Sequence, residues 1–136
     1  MTKQNIKTII NHDIKDVFER VSNFKNYNWR SNILKTEILN DKEFIEYTKD
    51  GYKTHFLITY LENSKTIKFN LENKNIKGYF IGNFEDAGNN KTLIDFTEYI
   101  EIKNFFKKII MKPFIKSYLK KEQNQYINDL INSFNN

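Results

Sequence analysis

Near residue 102 the hydrophobic period of the sequence changes from about two to about 3.6, and this change restricts the possible folds more than any other feature. Between residues 32 and 102, apolar and polar residues alternate in six segments, as in strands with one buried face. After residue 102 the apolar residues recur about every 3.6 positions, as on one side of a helix. A run of strands followed by a long helix predicts an α+β fold in which the helix packs on the sheet.

Short polar connections separate the predicted strands, so neighbouring strands must be antiparallel. Each connection contains Asn, Asp, Gly or Ser, which favour tight turns. The predicted strands cover residues 32–40, 43–50, 53–62, 65–73, 75–86 and 91–102. An alternating run at residues 4–10 adds a first strand. We therefore predict a curved antiparallel sheet of seven strands, in a single domain of residues 1–136.

Two short helical segments are predicted between the first two strands. Asp13 is a suitable N-cap for the first, and Asp16 lies in its first turn. Residues 24–30, with Tyr27 and Trp29, predict a second short helical turn. The predicted order of elements is therefore β-α-α-β6-α.

The C-terminal segment predicts a long helix that is interrupted once. Pro113 removes a backbone donor and clashes with the preceding turn, so we expect a short helix near residues 103–111, a kink, and a long helix at 113–134. The apolar stripe of this segment is wide, and it predicts packing across the sheet. Its members are Phe105, Phe106, Ile109, Ile110, Phe114, Ile115, Tyr118, Leu119, Tyr126, Ile127, Leu130, Ile131 and Phe134.

The order of elements resembles the START/Bet v 1-like helix-grip proteins, the bacterial SRPBCC or polyketide cyclase-like group. Local segments that resemble this group are Ile14-Lys15-Asp16-Val17-Phe18, Tyr27-Asn28-Trp29, Phe44-Ile45-Glu46-Tyr47-Thr48-Lys49-Asp50-Gly51 and Phe96-Thr97-Glu98-Tyr99. The resemblance covers the whole chain. It implies a helix-grip fold with a cavity between sheet and C-terminal helix, and the group includes lipid binders, aromatase/cyclases and chaperone cofactors.

Glu98 is the first candidate for a chemical role, because it lies in the apolar register of its strand. A buried carboxylate needs a partner or a raised pKa, so Glu98 is either tied to a Tyr, Lys or Arg, or available to a ligand or as a base. Glu46 is the second candidate, although either face of its strand could point inward. If both carboxylates face the cavity, they could share a proton and act on an enolisable substrate.

Aromatic residues form the rest of the predicted ligand-binding set. Trp29 is placed to stack on a flat ligand or to cover the core as a lid. Tyr118 and Tyr126 lie two turns apart on the predicted helix, so both can face the sheet. With Glu98, the predicted ligand-binding residues are Trp29, Phe56, Phe69, Phe80, Phe84, Phe96, Tyr118 and Tyr126. These phenylalanines could also simply fill the core. Gly78 and Gly82 leave space on the same face, which a neighbouring side chain or a ligand could occupy.

Several classes of site are excluded by residue type. The chain has no Cys, and its two histidines, His12 and His55, have no spacing typical of a metal site or a catalytic triad. Gly-rich phosphate-binding motifs do not occur. We predict no metal and no tightly held cofactor.

The net charge of +5 comes mostly from Lys, which recurs at Lys108, Lys112, Lys116 and Lys120. A solvated helix surface explains these lysines, and the alternative is an anionic membrane, a ribosomal partner or a chaperone partner. We predict no nucleic-acid partner, because phosphate-reading surfaces favour Arg. Stable membrane insertion is not expected, since no apolar run reaches the ~18 residues that a span requires. The polar N-terminus shows no signal peptide, which predicts a cytoplasmic protein.

Three functions remain open at this point. The leading prediction is the binding of a small hydrophobic or aromatic ligand, lipid or polyketide-like, between sheet and helix. The alternatives are an enzyme resembling polyketide cyclases, with Glu98 and Glu46 as catalytic candidates, and a protein-interaction module resembling chaperone activators.

Overall fold

The computed structural model describes residues 1–135, which form a seven-stranded antiparallel sheet and two helices. The helices are α1 (Ile14–Ser22) and α2 (Phe105–Ser133). The strands are β1 (Thr2–Ile10), β2 (Ile33–Ile38), β3 (Glu43–Thr48), β4 (Lys53–Glu62), β5 (Thr66–Glu72), β6 (Ile76–Gly88) and β7 (Lys91–Ile102). Their order in the sheet is β1-β7-β6-β5-β4-β3-β2. The predicted seven-stranded sheet and long C-terminal helix are confirmed.

The buried face of the sheet follows the predicted alternation. On β7, Ile94, Phe96, Ile100 and Ile102 are all buried, with half-buried Glu98 among them. The space beside Gly82 is occupied by a neighbouring side chain, because a Cβ at this position would lie 2.8 Å from the Phe80 ring. An aromatic ring of the protein therefore fills the gap that this glycine leaves in β6.

The first predicted helix is confirmed and the second is wrong. Asp13 caps α1, and its carboxylate accepts a hydrogen bond from the Lys15 amide at 2.7 Å. Residues 24–30 instead form hydrogen-bonded turns, such as the one closed by Arg30 N and Tyr27 O at 3.1 Å. In a helix, Tyr27 and Trp29 would point to nearly opposite sides. Both rings pack against the core in the structure, and the turns allow this.

The predicted break at Pro113 is also wrong, because α2 continues from residue 105 to 133. Pro113 leaves the carbonyl oxygen of Ile109 without its helical donor. Both residues are exposed, so water can hydrate this carbonyl and the helix need not end there.

The two halves of α2 have different surroundings. The second half, residues 115–133, buries Ile115, Leu119, Ile127 and Leu130 against the sheet and α1. The first half, residues 105–114, leaves most of its large apolar side chains exposed, so the prediction that the entire stripe packs on the sheet is wrong for Phe105, Phe106, Ile109, Ile110 and Phe114. No helix within residues 1–135 is long and apolar enough to cross a membrane.

Candidate functional site

A cavity of about 200 Å³ lies between the inner face of the sheet and the second half of α2. Strands β3 to β7 supply its aromatic wall, and α2 closes it from the other side. The phenylalanines of this wall are Phe44, Phe56, Phe69, Phe80 and Phe96. Their rings contact each other in sequence, for example Phe44 on Phe56 at 4.9 Å and Phe69 on Phe80 at 4.6 Å between centroids. The inner face of strands β3 to β7 therefore provides a wall of packed rings.

Glu98 places a carboxylate in this wall. It lies on β7 opposite Phe80 of β6 and Gln4 of β1, and its side chain lines the cavity. Within residues 1–135 no hydrogen bond or ion pair reaches its carboxylate, so the predicted tie to a Tyr, Lys or Arg is not formed. Burial raises the pKa of Glu98 to about 7, while the Arg30 cation opposes this shift and Glu122 adds to it. The carboxyl group can therefore gain or lose a proton near neutral pH.

Arg30 brings a positive charge into the same cavity. It follows the turns after α1, and its Nη1 lies 3.6 Å from Oε2 of Glu46. The guanidinium group also lies over the Tyr126 ring at 4.6 Å, in cation–π geometry. Burial raises the pKa of Glu46, and the Arg30 charge limits that shift. Arg30 thus connects β3 to α2 across the cavity.

The orientation of Glu46, which the sequence left open, is inward. Its side chain is buried and lines the cavity. However, β4, β5 and β6 lie between β3 and β7 in the sheet, and no hydrogen bond joins the two carboxylates among the described residues. The arrangement in which Glu46 and Glu98 share a proton is therefore not formed, since Glu46 is paired with Arg30.

Two buried N–H groups beside the cavity have no hydrogen-bond partner among residues 1–135. They are Nε of Arg30 and Nε1 of Trp29. Buried donors are nearly always satisfied in folded proteins. Arg30 lines the cavity, so its guanidinium group has donor capacity left for an acceptor that enters there.

The outer part of the cavity is polar. Tyr118 and Glu122 of α2 line it together with Asn32, Asp50 and the β3–β4 turn. Asn32 donates to Glu122 at 3.2 Å, and burial raises the pKa of Glu122. Tyr118 is 45% exposed although it lines the cavity, so it lies at the cavity mouth.

Most of the predicted ligand-binding residues lie around this cavity, and two do not. Trp29 packs edge-on against Tyr27 and Tyr126, with both centroid distances 5.3 Å, and Phe84 packs against Phe18 of α1 at 5.0 Å. Trp29 therefore packs behind two cavity-lining tyrosines, and Phe84 belongs to the core under α1. The predicted residues that line the cavity are Phe56, Phe69, Phe80, Phe96, Glu98, Tyr118 and Tyr126, with Glu46.

The sequence interpretation missed Arg30 and Tyr27. Tyr27 lines the cavity, and its hydroxyl donates to the Val21 carbonyl at 2.8 Å. Two features of the sequence indicate Arg30. It is one of only two arginines in a Lys-rich chain, and it directly follows the segment that contains Tyr27 and Trp29. Among residues 1–135 no three His, Cys, Asp or Glu side chains are grouped to hold a metal.

Comparison with solved structures identifies the fold. A START superfamily protein from Mycobacterium smegmatis superposes with a TM-score of 0.86 at 14% identity, and the match covers 96% of this chain and 95% of that one. The chain has the START/Bet v 1-like fold. The Zhui aromatase/cyclase from Streptomyces sp. R1128 gives a TM-score of 0.86 at 8% identity, covering 97% and 92%. A conserved protein from Geobacillus kaustophilus gives 0.84 at 10% identity, covering 97% and 94%.

Sequence comparison adds nothing to this result. No protein-family model matches the chain, and no curated protein matches it either. The START/Bet v 1-like fold accounts for the cavity, since the sheet and the C-terminal helix enclose it. At these identities the likeness establishes the fold alone, and only the residues of the cavity bear on the function.

Proposed function

We propose that this protein binds a small hydrophobic molecule with an aromatic body and one hydroxyl or similar donor. The observation that carries the proposal is the unpaired carboxylate of Glu98 in a wall of phenylalanine rings. Ligand sites are mostly apolar, with a few polar groups that fix the orientation of the ligand. The aromatic body would lie against Phe69, Phe80 and Phe96, and the donor would bind Glu98.

The charge pattern of the cavity supports this orientation. Arg30 is paired with Glu46, and among the described residues no hydrogen bond or ion pair reaches the carboxylate of Glu98. A ligand hydroxyl would donate to this carboxylate, and such charge-assisted bonds are about twice as strong as neutral ones. An acceptor elsewhere on the ligand could use the free Nε–H of Arg30. The ligand would thus have a polar edge and an apolar edge.

A matched pair of probes tests this proposal. We expect 2-naphthol to bind at least tenfold more tightly than 2-methoxynaphthalene, because the ether lacks the proton that Glu98 accepts. Isothermal titration calorimetry at about pH 8, where Glu98 is ionised, measures both affinities. In Glu98→Gln the preference for the hydroxyl should fall by several-fold.

Glu101→Gln is the matched control, because Glu101 lies on the same strand and pairs with Lys77 on the other face. It should keep the wild-type preference. If neither probe binds the wild-type protein, and native mass spectrometry of the purified protein finds no hydrophobic molecule, the binding proposal fails. Equal affinities for the two probes would show that Glu98 does not accept a hydrogen bond from the ligand hydroxyl.

A second candidate function is acid–base catalysis on an enolisable substrate of the same shape. It is favoured by the pKa of Glu98, which burial brings to about 7, where a general base is effective. Hydrogen–deuterium exchange at the α-carbon of 2-tetralone, followed by NMR, tests it. Exchange above the buffer rate that is lost in Glu98→Gln and kept in Glu101→Gln supports catalysis. A wild-type rate equal to buffer counts against it and leaves binding as the function.

A further inference from the structure

The first half of α2 carries a large apolar surface that the rest of the chain does not cover. We name it the apolar face, and it consists of Phe105, Phe106, Ile109, Ile110 and Phe114, which are 71%, 75%, 60%, 69% and 69% exposed. Single exposed apolar residues are common, but a contiguous group of this size marks an interaction surface. Five large apolar side chains within ten residues form such a group.

The geometry of α2 explains why the sheet does not cover this face. Ile115 and Leu119 contact the sheet, and the positions two turns before them are Lys108 and Lys112, which are exposed. In the first half, the side of α2 that meets the sheet therefore carries Lys108 and Lys112, with the half-buried Met111 beside them. Phe106 precedes Lys108 by two residues, so it points nearly the opposite way. Phe106, Ile110 and Phe114 thus point away from the sheet, and Phe105 and Ile109 lie at the edge of this face.

The segment of chain that carries the apolar face has only positive charges. Residues 103–121 contain seven Lys and no Asp or Glu. Since the whole chain carries +5, the remaining residues carry a net charge of −2. Lys103 and Lys107 bond to Glu72 and Asn75, and the other five have no ion-pair partner among residues 1–135. They are Lys108, Lys112, Lys116, Lys120 and Lys121.

We propose that the first half of α2 docks on an anionic lipid membrane, with its apolar face in the acyl boundary and its lysines at the headgroups. A helix with bulky apolar residues on one side and lysines on the other is suited to lie in the membrane interface. A second copy of the chain fits poorly, because pairing two apolar faces would bring two sets of seven lysines together. A polyanion alone would leave the phenylalanines in water.

The cavity mouth lies close to the docking surface, so docking could serve ligand transfer. This inference rests on the proposed function. Tyr118 lines the mouth and lies one turn after Phe114. A docked α2 would therefore hold the mouth close to the headgroup layer. A hydrophobic ligand could then pass between membrane and cavity with little exposure to water.

Vesicle sedimentation with the full chain tests the docking. We expect at least tenfold stronger partitioning onto phosphatidylcholine vesicles that contain about one third phosphatidylglycerol than onto phosphatidylcholine alone, and weaker binding at high salt. The double variant Phe106→Ser with Ile110→Ser should lose about tenfold or more, and Lys108→Gln with Lys112→Gln should lose several-fold. Circular dichroism checks that each variant is folded.

The matched controls change the same residue types elsewhere. Leu34→Ser with Leu61→Ser removes two apolar residues that are 66% and 56% exposed on β2 and β4, and Lys15→Gln with Lys25→Gln removes two exposed lysines. Both controls should bind vesicles like the wild type. Equal binding to neutral and anionic vesicles, or equal losses in the controls, would overturn the proposal. So would a wild-type dimer in light scattering that the Phe106→Ser with Ile110→Ser variant converts to a monomer.

Failure of the docking and failure of the proposed function can be told apart. Glu98→Gln should bind vesicles normally, because Glu98 lies inside the cavity. The apolar-face variant should bind 2-naphthol in solution with wild-type affinity. If the variants show the reverse pattern, or if 2-naphthol binding depends on the apolar face, the assignment of α2 to docking is wrong.

Discussion

The two halves of α2 both carry rows of large apolar residues at helical spacing, but the environments of these rows are opposite. Phe106, Ile110 and Phe114 in the first half are 69–75% exposed, whereas Leu119 and Leu130 in the second half are 4% and 0% exposed. Both sets repeat at helical spacing in one unbroken helix. Helical periodicity therefore identifies the apolar side of a helix but not the surface that packs on it, because that surface depends on where the sheet ends.

The largest expected effect is the loss of stability when an apolar side chain is removed, and it should differ between the two halves. Leu130→Ala should lower the free energy of unfolding by about 3–5 kcal/mol, because the lost side chain leaves a cavity in a fully buried position. Ile110→Ala removes an apolar side chain of the same size from an exposed position, so it should change stability by less than about 0.5 kcal/mol. Urea unfolding followed by the fluorescence of Trp29 measures both.

Ile110→Ala is itself the control, since both substitutions end in the same residue of the same helix. A loss above about 2 kcal/mol in Ile110→Ala would mean that the first half is packed in solution. The contrast between the halves would then be wrong.

The elements of the fold were predictable because their patterns are local. Strand alternation and turn residues located all seven strands, and the change of period located α2. The stripe predicted for α2 combines two separate rows of apolar residues. The row Phe106, Ile110, Phe114 and the row Ile115, Leu119, Gln123, Ile127 each repeat every four residues, but they lie on different sides of the helix. A step of one residue between Phe114 and Ile115 separates the rows, and the sequence contains this signal.

The candidate site was predictable where it lies on strands or on α2, as for Tyr118 and Tyr126, but not where it lies in turns. The alternation of β7 placed Glu98 among buried residues, and the structure places its side chain in the cavity wall. Arg30 lies in turns, where no period reports the direction of a side chain, so its contact with Glu46 and Tyr126 was not predictable from spacing. The same limit applies to Trp29, whose packing depends on those turns.

The next expected effect is a change of stability with pH. It arises at Glu98, which the second half of α2 covers, so the first half takes no part in it. The pKa of Glu98 is about 4.5 in the unfolded chain, and burial raises it to about 7 in the folded protein. The folded state therefore favours the protonated acid, so stability should fall as pH rises from about 4.5 to about 7. The full loss, present above pH 7, is on the order of 3 kcal/mol. Burial also raises the pKa of Glu46, which adds to the slope in the same direction.

Glu98→Gln removes the titrating group and keeps the shape of the side chain. Urea unfolding across this pH range should show a smaller slope for the variant, and at about pH 8 the variant should be more stable than the wild type. Glu101→Gln should keep the wild-type slope. If Glu98→Gln leaves the slope unchanged, Glu98 is hydrated in solution and the burial of its charge is much smaller than the structure implies.

The smallest effect on global stability is expected at the boundary between the two halves. Pro113→Ala restores the donor that Ile109 lacks and relieves the clash of the ring, which favours a helix by about 3 kcal/mol locally. The first half makes few contacts with the sheet, so it can unravel while the second half stays packed. The gain should therefore slow amide exchange in residues 108–112 by tenfold or more, with a change in global stability below about 1 kcal/mol.

Hydrogen exchange followed by NMR separates these two quantities, because it reports the first and second halves residue by residue. A gain of about 3 kcal/mol in urea unfolding, with no added protection in the first half, would show that α2 unfolds as one unit. In that case the two halves would differ in exposure, but neither would unfold without the other. The docking surface would then be as rigid as the wall of the cavity, and lipid binding should stabilise the whole protein rather than its first helical turns.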